Sequence, residues 1–486
     1  MRSAFMRRSL PPLLAGSLLL LAGCGGSEPP EYHPQIEEAE RRLGAEQHPA
    51  LLAEFGGAYQ GPEAAYVARI GEGIAQAAEL GGECTFTLVN TDVVNAFAVP
   101  GCYIYVTRGL MGLVNSEAEL ASVLAHELGH IVADHSERQQ NRSILRELGV
   151  IAVGLVTGSD RLTRLAGQAA QYFTLRYSRT QEYESDDLGI RYMKAAGYDP
   201  YEAADMLGAL ARQEQFLSGT GGENAKAIPE WARTHPLTEN RIERARETAA
   251  KTGVADNALP EKIDPFLDQV DGLLYGDDPE QGFVLGRRFA HPVMRISFEA
   301  PPGFTLTNSP QAIMLAGPDG IRGEFGGGTL PPGGLGAYVE ALLGQVLGGT
   351  QAEVGAAEQR DINGLPALIV PVLVRTEQGD AEIVVAAYAA GDAAYHFIMV
   401  SSGRGNETAI GQLIGSFRLL TPAEAQSLRP RVIRVVAAGA GDTVQSLARR
   451  MASDHPLDHF LMLNGRAAGE PLRPGERVKI VTFAGR

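Results

Sequence analysis

Residues Ser116 to Asp134 read SEAELASVLAHELGHIVAD, and this stretch decides the fold of the N-terminal half. It is rich in helix formers, and Leu120, Val123, Leu124, Leu128, Ile131 and Val132 recur at helical spacing, which predicts a half-buried helix. Residues four apart lie one above the other, so His126 and His130 project from one face and can share a metal ion, with Glu127 beside them. A zinc ion held by three protein ligands keeps a position for water and lowers its pKa, and a nearby carboxylate can take the proton as that water attacks a peptide carbonyl. With ten histidines in 486 residues an isolated HExxH can arise by chance on a helix surface. The half-buried helix argues for the metal site.

A third ligand has to come from elsewhere. Ser178 to Gly189 (SRTQEYESDDLG) predicts a second helix with Glu182 and Asp186 four apart on one face. One can ligate the metal while the other accepts a hydrogen bond from a ligand histidine and fixes its tautomer. Alone, this segment also reads as an acidic, solvated helix.

Taken together, these segments resemble the HExxH zinc metallopeptidase family of HtpX, the CAAX prenyl protease and BepA. The resemblance runs from about His48 to Arg244. It includes His48 to Gln76, Asn95 to Gly101 (NAFAVPG), Thr107 to Leu110, Glu119 to Ala121, the HExxH, Glu182-xxx-Asp186 and Thr234 to Thr238 (THPLT). It implies a mainly helical zincin-type (gluzincin) domain with a small sheet and one Zn2+ per chain. His126, His130 and Glu182 would be the ligands, Glu127 the base and Asp186 a support for the ligands, with His135 structural. His235 of the His-Pro pair has three readings: a latch on the open metal position, a donor to the oxyanion, or a turn residue before Pro236.

Cys84 to Asn90, Val93 to Val99 and Cys102 to Val106 read as short strands. The strand around Asn95, Ala96 and Phe97 is expected to border the cleft, where an extended substrate pairs with it by its main chain; the plain alternative is an ordinary edge strand. Cys102 stands where the family usually has a second glycine. Cys84 and Cys102 can meet across these strands, as a disulfide in an oxidising compartment or as two small buried thiols.

The start of the chain speaks to compartment. Arg2, Arg7 and Arg8 precede an apolar run from Leu10 to Leu21, too short to span a bilayer as a mature helix, and Leu21-Ala22-Gly23-Cys24 resembles a bacterial lipobox. That implies cleavage before Cys24 and lipidation of its thiol and new amine, which anchors the chain to a membrane. Gly25 after Cys24 favours the outer membrane, facing the periplasm. The alternative is an ordinary secretory leader. Removing it takes three arginines and no acids, so a formal charge of −16 becomes −19. With that charge, no basic patch and Trp231 as the lone tryptophan, nucleic acid is excluded as a partner.

At 44% hydrophobic and 21% charged, the chain has material for several cores. The expected division is a leader at 1–23, a tether at 24–34, the peptidase domain at 35–251, a connector at 252–292, an accessory domain at 293–420 and a small module at 430–486. Ile151 to Gly158 is apolar but too short to cross a bilayer, and belongs to a core helix or lid. In the accessory domain, runs such as Ala367–Arg375, Ala381–Ala389 and Ala394–Ser401 surround a helix near Leu335–Leu347, an α+β pattern with a slight resemblance to PsbP/Mog-like folds. His291 and His396 read as structural there. The module resembles LysM in Gly441-Asp442-Thr443-Val444, Leu463-Asn464-Gly465 and Leu472-Arg473-Pro474-Gly475, which implies a βααβ unit and a peptidoglycan contact. Few aromatics beyond Phe460 and Phe483 are present to make a glycan platform.

The favoured function is a zinc endopeptidase acting on misfolded or unassembled cell-envelope proteins. The runner-up is a latched assembly or chaperone-like factor working through its accessory domains. A peptidoglycan-processing enzyme guided by the LysM-like tail stands third.

Overall fold

Serine caps open the two helices that carry the site. Ser116 Oγ accepts the Glu119 N–H at 2.9 Å at the start of one, and Ser178 and Gln181 form a capping box at the start of the other. The computed structural model describes Tyr32 and residues 34–136, 176–220, 229–237, 240–348, 350–376, 379–401 and 406–485. The expectations for the leader, for Cys24 and for the apolar run 151–158 fall outside these residues. None of the described helices is long and apolar enough to cross a membrane.

The N-terminal half runs α1 (Glu38–Glu54), α2 (Pro62–Ala77), β1 (Thr85–Val89), β2 (Ala96–Val99), β3 (Tyr103–Thr107), α3 (Arg108–Leu113) and α4 (Glu117–Val132). It continues with α5 (Arg179–Ala195), α6 (Glu202–Thr220), α7 (Glu230–Thr234), α8 (Arg241–Lys251) and α9 (Ile263–Val270). The three strands lie in the order β1-β3-β2, with β1 parallel and β2 antiparallel to β3. The apolar faces of α2, β1, β3 and α4 meet in one core through Ile70, Ile74, Leu88, Ile104, Leu124 and Leu128. The second strand is shorter than expected from Val93: residues 93–95 bend instead, and Asn95 pairs by its backbone with Thr107.

Cys84 and Cys102 are joined by a disulfide that ties the start of β1 to the turn before β3. Cys102 has φ 61°, the left-handed conformation that glycine adopts without cost. The departure from glycine at this position therefore carries a backbone penalty, accepted together with a covalent link.

The stretch expected to be a connector is folded. Phe266, Leu267 and Val270 of α9 are buried in the catalytic core, and β4 (Leu274–Tyr275) joins a sheet. β5 (Phe283–Leu285) and β6 (Arg288–His291) already belong to the accessory domain. Strands this short give no readable alternation, which is why the sequence hides them.

The accessory domain continues with β7 (Ile296–Glu299), β8 (Thr305–Asn308), β9 (Ile313–Ala316), β10 (Arg322–Thr329), α10 (Gly334–Leu347), β11 (Ala352–Val354) and β12 (Glu358–Ile362). β13 (Leu365–Thr376), β14 (Gly379–Ala390), β15 (Ala393–Ser401), α11 (Glu407–Gly415), β16 (Arg418–Leu419) and α12 (Pro422–Ser427) follow. An eight-stranded sheet runs β11-β13-β14-β15-β10-β9-β8, with β12 on β13, and a four-stranded sheet runs β16-β7-β6-β5. Phe289 and Phe298 of the smaller sheet pack on Phe325 and Phe397 of the larger, whose other face is covered by α10. His291 and His396 are buried and meet the Glu280 carbonyl at 3.1 Å and the Tyr338 hydroxyl at 2.9 Å.

The C-terminal module is β17 (Arg431–Ala437), α13 (Val444–Ala448), α14 (Pro456–Leu463) and β18 (Arg477–Phe483), a strand-helix-helix-strand order with the two strands antiparallel. β17 also pairs with β4, and Ile433 and Met462 enter the catalytic core.

One buried acid ties much of the catalytic half together. Glu117, 2% exposed, accepts from Tyr66 Oη at 2.6 Å, Tyr198 Oη at 2.7 Å, Lys262 Nζ at 2.7 Å and Arg69 Nη2 at 3.0 Å. Burial alone would raise its pKa, but the hydrogen bonds from Lys262, both tyrosines and Arg69 outweigh it and hold the carboxyl at about 2. A depressed carboxylate contributes stability that is present above its unfolded value and lost as pH falls through its folded one. Glu117→Gln is expected to lower the unfolding free energy by about 2–4 kcal/mol at neutral pH, with the difference from wild type shrinking between about pH 4.5 and pH 2. Urea titrations across that range check this; a difference that does not move with pH contradicts the assignment.

Candidate metal centre and catalytic cleft

Two glycines decide how close α4 and α5 come. A Cβ on Gly129 would lie 2.9 Å from the Ser185 carbonyl oxygen, and one on Gly189 would lie 3.1 Å from the His126 nitrogen. Without side chains at these points the backbones nearly touch. The Glu182 carboxylate therefore arrives between the histidines of α4, with Oε1 3.5 Å from His130 Nε2 and Oε2 3.6 Å from His126 Nε2. The two Nε2 atoms are 3.0 Å apart. His235, in the turn after α7, brings Nδ1 to 3.0 Å from Glu182 Oε1 and Nε2 to 3.5 Å from Glu127 Oε1. His126, His130, Glu182 and His235 each offer a ligand atom within 4.8 Å of the others.

The histidines are oriented from behind. His126 Nδ1 lies 2.9 Å from Asp186 Oδ1, so Nδ1–H donates and Nε2 keeps its lone pair for the centre. His130 Nδ1 lies 2.8 Å from His135 Nδ1, and His135 Nε2 lies 2.9 Å from Glu184 Oε2. Glu184 accepts from His135 Nε2–H, so His135 Nδ1, which also meets Ser185 Oγ at 3.3 Å, acts as the acceptor for His130 Nδ1–H and turns His130 Nε2 to the centre. Tyr177 stacks on the His130 ring at 3.8 Å. Burial, then the neighbouring His126, His235, His135 and Arg241, keep His130 well below its ordinary pKa, in the neutral form a ligand needs.

Arg241 at the start of α8 is 3% exposed and donates to both oxygens of Asp186 at 2.8 Å, with Nη1 2.5 Å from Glu182 Oε2. Burial would raise both acids; Arg241 first, with His235 and His126 at Glu182 and His126 at Asp186, overrides it and holds both below the usual carboxylate range. His235 is the reverse: burial would lower it, and Glu182 and Glu127 hold it above its usual value.

The donor set fits a divalent cation. Glu127, Glu182 and Asp186 outnumber the buried Arg241, and the excess negative charge, shared with His235, is one that a divalent ion would offset. Glu127 Oε2 is buried with no hydrogen-bond partner, and Glu127 lines the cleft beside His126, where a polarised water would need a base.

A cavity of about 70 Å³ opens beside His126 and Glu127, walled by Leu110, Val123, Ile190, Met206, Leu207 and Leu210. Asn95 and Ala96 border it, and both amide atoms of the buried Asn95 lack partners. Phe97 does not join them: its ring stacks on Tyr105 at 4.8 Å in a separate cluster with Phe55. β2 is the edge strand of its sheet, with no described strand on its outer side.

The sequence reading missed Arg241 and gave His135 only a structural place. A signal existed for the first, since Arg241 and Arg244 are three apart and meet the adjacent acids Asp186 and Asp187 in turn. His135 is hidden because its place at the end of α4 carries no spacing rule.

A histidine-histidine-glutamate set with a neighbouring carboxylate, beside an apolar cleft and the edge strand of a small sheet, is the arrangement of a metallopeptidase. Comparison with known proteins agrees: residues 62–249 match peptidase family M48. The chain is 34% identical over 173 residues to the beta-barrel assembly-enhancing protease of Yersinia pestis, covering 34% of each protein. It is 31% identical to the protein of the same name from Escherichia coli K12, again over 34% of each, and 31% identical to the mitochondrial metalloendopeptidase OMA1 of Arabidopsis thaliana, over 35% of this chain and 32% of that one. The chain thus spans about a third of the length of these relatives. Among solved structures, the cyanobacterial PsbP of Synechocystis matches at 16% identity with a TM-score of 0.24, over 28% of this chain and 98% of that one, a likeness too slight to build on.

Gly129→Ala is expected to push α5 away from α4, costing about 1–3 kcal/mol of stability and weakening metal affinity about tenfold or more. Metal titration with a competing chelator reads this; unchanged affinity would show that the close approach does not set the ligand geometry.

Proposed function

We propose that this chain is a zinc metalloendopeptidase of the cell envelope, lipid-anchored through Cys24 on the periplasmic side of the outer membrane, that cleaves misfolded or unassembled envelope proteins. The observation that carries the proposal is the convergence of His126, His130 and Glu182 at one point, with the unpartnered Glu127 oxygen beside them and an apolar cleft below. The names of the Yersinia and Escherichia relatives, assembly-enhancing proteases, support an envelope quality-control role.

In this reading His126, His130 and Glu182 would hold the zinc, which would supply an activated water and a Lewis acid for the carbonyl. Glu127 is the carboxylate placed to take a proton from water and return it to the leaving amine. Asp186, His135 and Arg241 keep the ligands in their tautomers and rotamers. The outer edge of β2 pairs with an extended backbone, which suits unfolded segments of many sequences, and Asn95 offers its free amide to that backbone. The cavity accepts an apolar side chain of about leucine size next to the scissile bond.

A second reading has its own support. His235 stands 3.0 Å from Glu182 and 3.4 Å from His126, so it can occupy the position the water needs. A chain held in that state is silent and acts as an assembly or holding factor until His235 withdraws. The same residue, placed 3.5 Å from Glu127 and bearing a proton, also suits oxyanion stabilisation. Peptidoglycan contact by the C-terminal module has thinner support, since Phe460 is fully buried in the module's core and Phe483, 54% exposed, is the one aromatic of the pair at the surface.

Casein cleavage by the zinc-loaded chain lacking residues 1–24 tests this. Glu127→Gln is expected to reduce cleavage by about 100-fold or more. His235→Ala raises it if the residue is a latch and lowers it if it serves the oxyanion. No cleavage by any zinc-bound form would favour the assembly-factor reading. Mapping the cut sites is expected to find leucine, methionine or valine next to the broken bond, favoured over acidic residues by about tenfold or more; acidic residues there would remove the cleft assignment.

A further inference from the structure

Lys479 lies in β18 of the C-terminal module, yet its ammonium group is fully buried against the catalytic half. Its Nζ donates to three successive carbonyls, Gly112 at 2.9 Å, Leu113 at 3.0 Å and Val114 at 2.7 Å. These are the carbonyls at the end of α3, left without partners within their own helix, where the backbone dipoles present negative charge. All three donors of the ammonium are used, which is what a buried lysine requires. Of the two residues that follow, Asn115 donates its N–H to Glu119 Oε2 at 2.5 Å and Ser116 caps α4, and ten residues beyond Ser116 stands His126. α3 also supplies Leu110 to the wall of the cleft. Around this contact, the Ile433 side chain lies where a Cβ on Gly112 would meet it at 3.2 Å, and His459 of α14 stacks on Phe216 of α6, the helix that supplies Met206, Leu207 and Leu210 to the same cleft.

We propose that Lys479 is a positioning residue of the peptidase: by capping α3 it fixes the α3–α4 junction, and with it the Leu110 wall of the cleft and the approach to the metal helix. The C-terminal module is then a working part of the catalytic unit and does more than tether it. This goes beyond the proteolytic reading while resting on it for its kinetic test.

The alternative is that Lys479 merely adds stability. The two roles separate in kinetics, because lost stability lowers the active fraction and leaves KM and side-chain preference alone, whereas a moved wall changes both. The experiment uses the mature chain, compared with Lys479→Met, which keeps length and loses the donors, and with Lys479→Arg, which restores positive donors. Peptides differing only in the apolar residue beside the scissile bond are cleaved, and amide hydrogen exchange is followed in the same samples. Lys479→Met is expected to raise KM about tenfold and to flatten the preference among leucine, valine and alanine, with partial rescue by Lys479→Arg. Faster exchange is expected to be confined to residues 110–120. If Lys479→Met does not fold, Lys479→Gln, which keeps two donors, takes its place with the same expectations in smaller degree. Unchanged KM and preference with a reduced active fraction, or exchange that rises evenly over the catalytic half, would overturn the proposal. If no form cleaves peptide, the peptidase reading fails, and exchange at 110–120 still decides whether Lys479 holds the junction.

Discussion

The near-contact of α4 and α5 is the constraint on which the rest of the site depends. A carboxylate on one helix can face two imidazoles on another at ligand distance only if the axes come unusually close, and Gly129 and Gly189 each remove the side chain that would prevent it. Bringing Glu182 and Asp186 into a buried cleft costs desolvation, which Arg241 offsets from a third helix, donating to one acid in bidentate fashion and reaching the other. Backbone clearance, acid placement and the buried guanidinium therefore form one arrangement.

Much of this was legible because it rests on local rules. The spacing of His126 and His130, the four-residue step from Glu182 to Asp186 and the apolar stripe through Leu120, Leu124 and Leu128 are properties of single helices, and the described helices carry them as expected. In the accessory domain, the long strands β13, β14 and β15 and the helix α10 lie where their composition put them. What stayed hidden is pairwise. Arg241 and His135 matter through partners far along the chain, Phe97 turns from the cleft because Tyr105 and Phe55 offer it a better-packed face, and β4, β5 and β6 are too short to show a period. Lys479 sits in a strand whose neighbours Val478, Ile480 and Val481 read as ordinary core, and only the folded chain reveals what it faces.

Buried cations recur at the points where parts of the chain meet. Arg108 donates to the Leu274 and Gly276 carbonyls at 2.8 Å and to Asn90 at 2.9 Å, so it fastens β4 to the catalytic sheet as Lys479 fastens β18 to α3. Backbone carbonyls satisfy the donors of both cations, and burial lowers the pKa of both, against the opposing pull of Asp92 and Asp278 on Arg108 and of Glu119 on Lys479. Such seams are specific in register, since a cation displaced by one residue loses several acceptors at once.

The pairing of β4 with β17 carries a further meaning. Tyr275 and Arg431 are opposed across two antiparallel strands, so the chain leaves the catalytic body at one point and returns beside it about 155 residues later. Everything between, both accessory sheets and their helices, is a loop-out between adjacent positions. Topologically the C-terminal module closes the catalytic body and the accessory domain is a guest within it. A host of this kind can gain, lose or exchange its guest by a cut at one hairpin, with its own strand pairing left intact, which gives a lineage a simple route to new surfaces around an unchanged cleft.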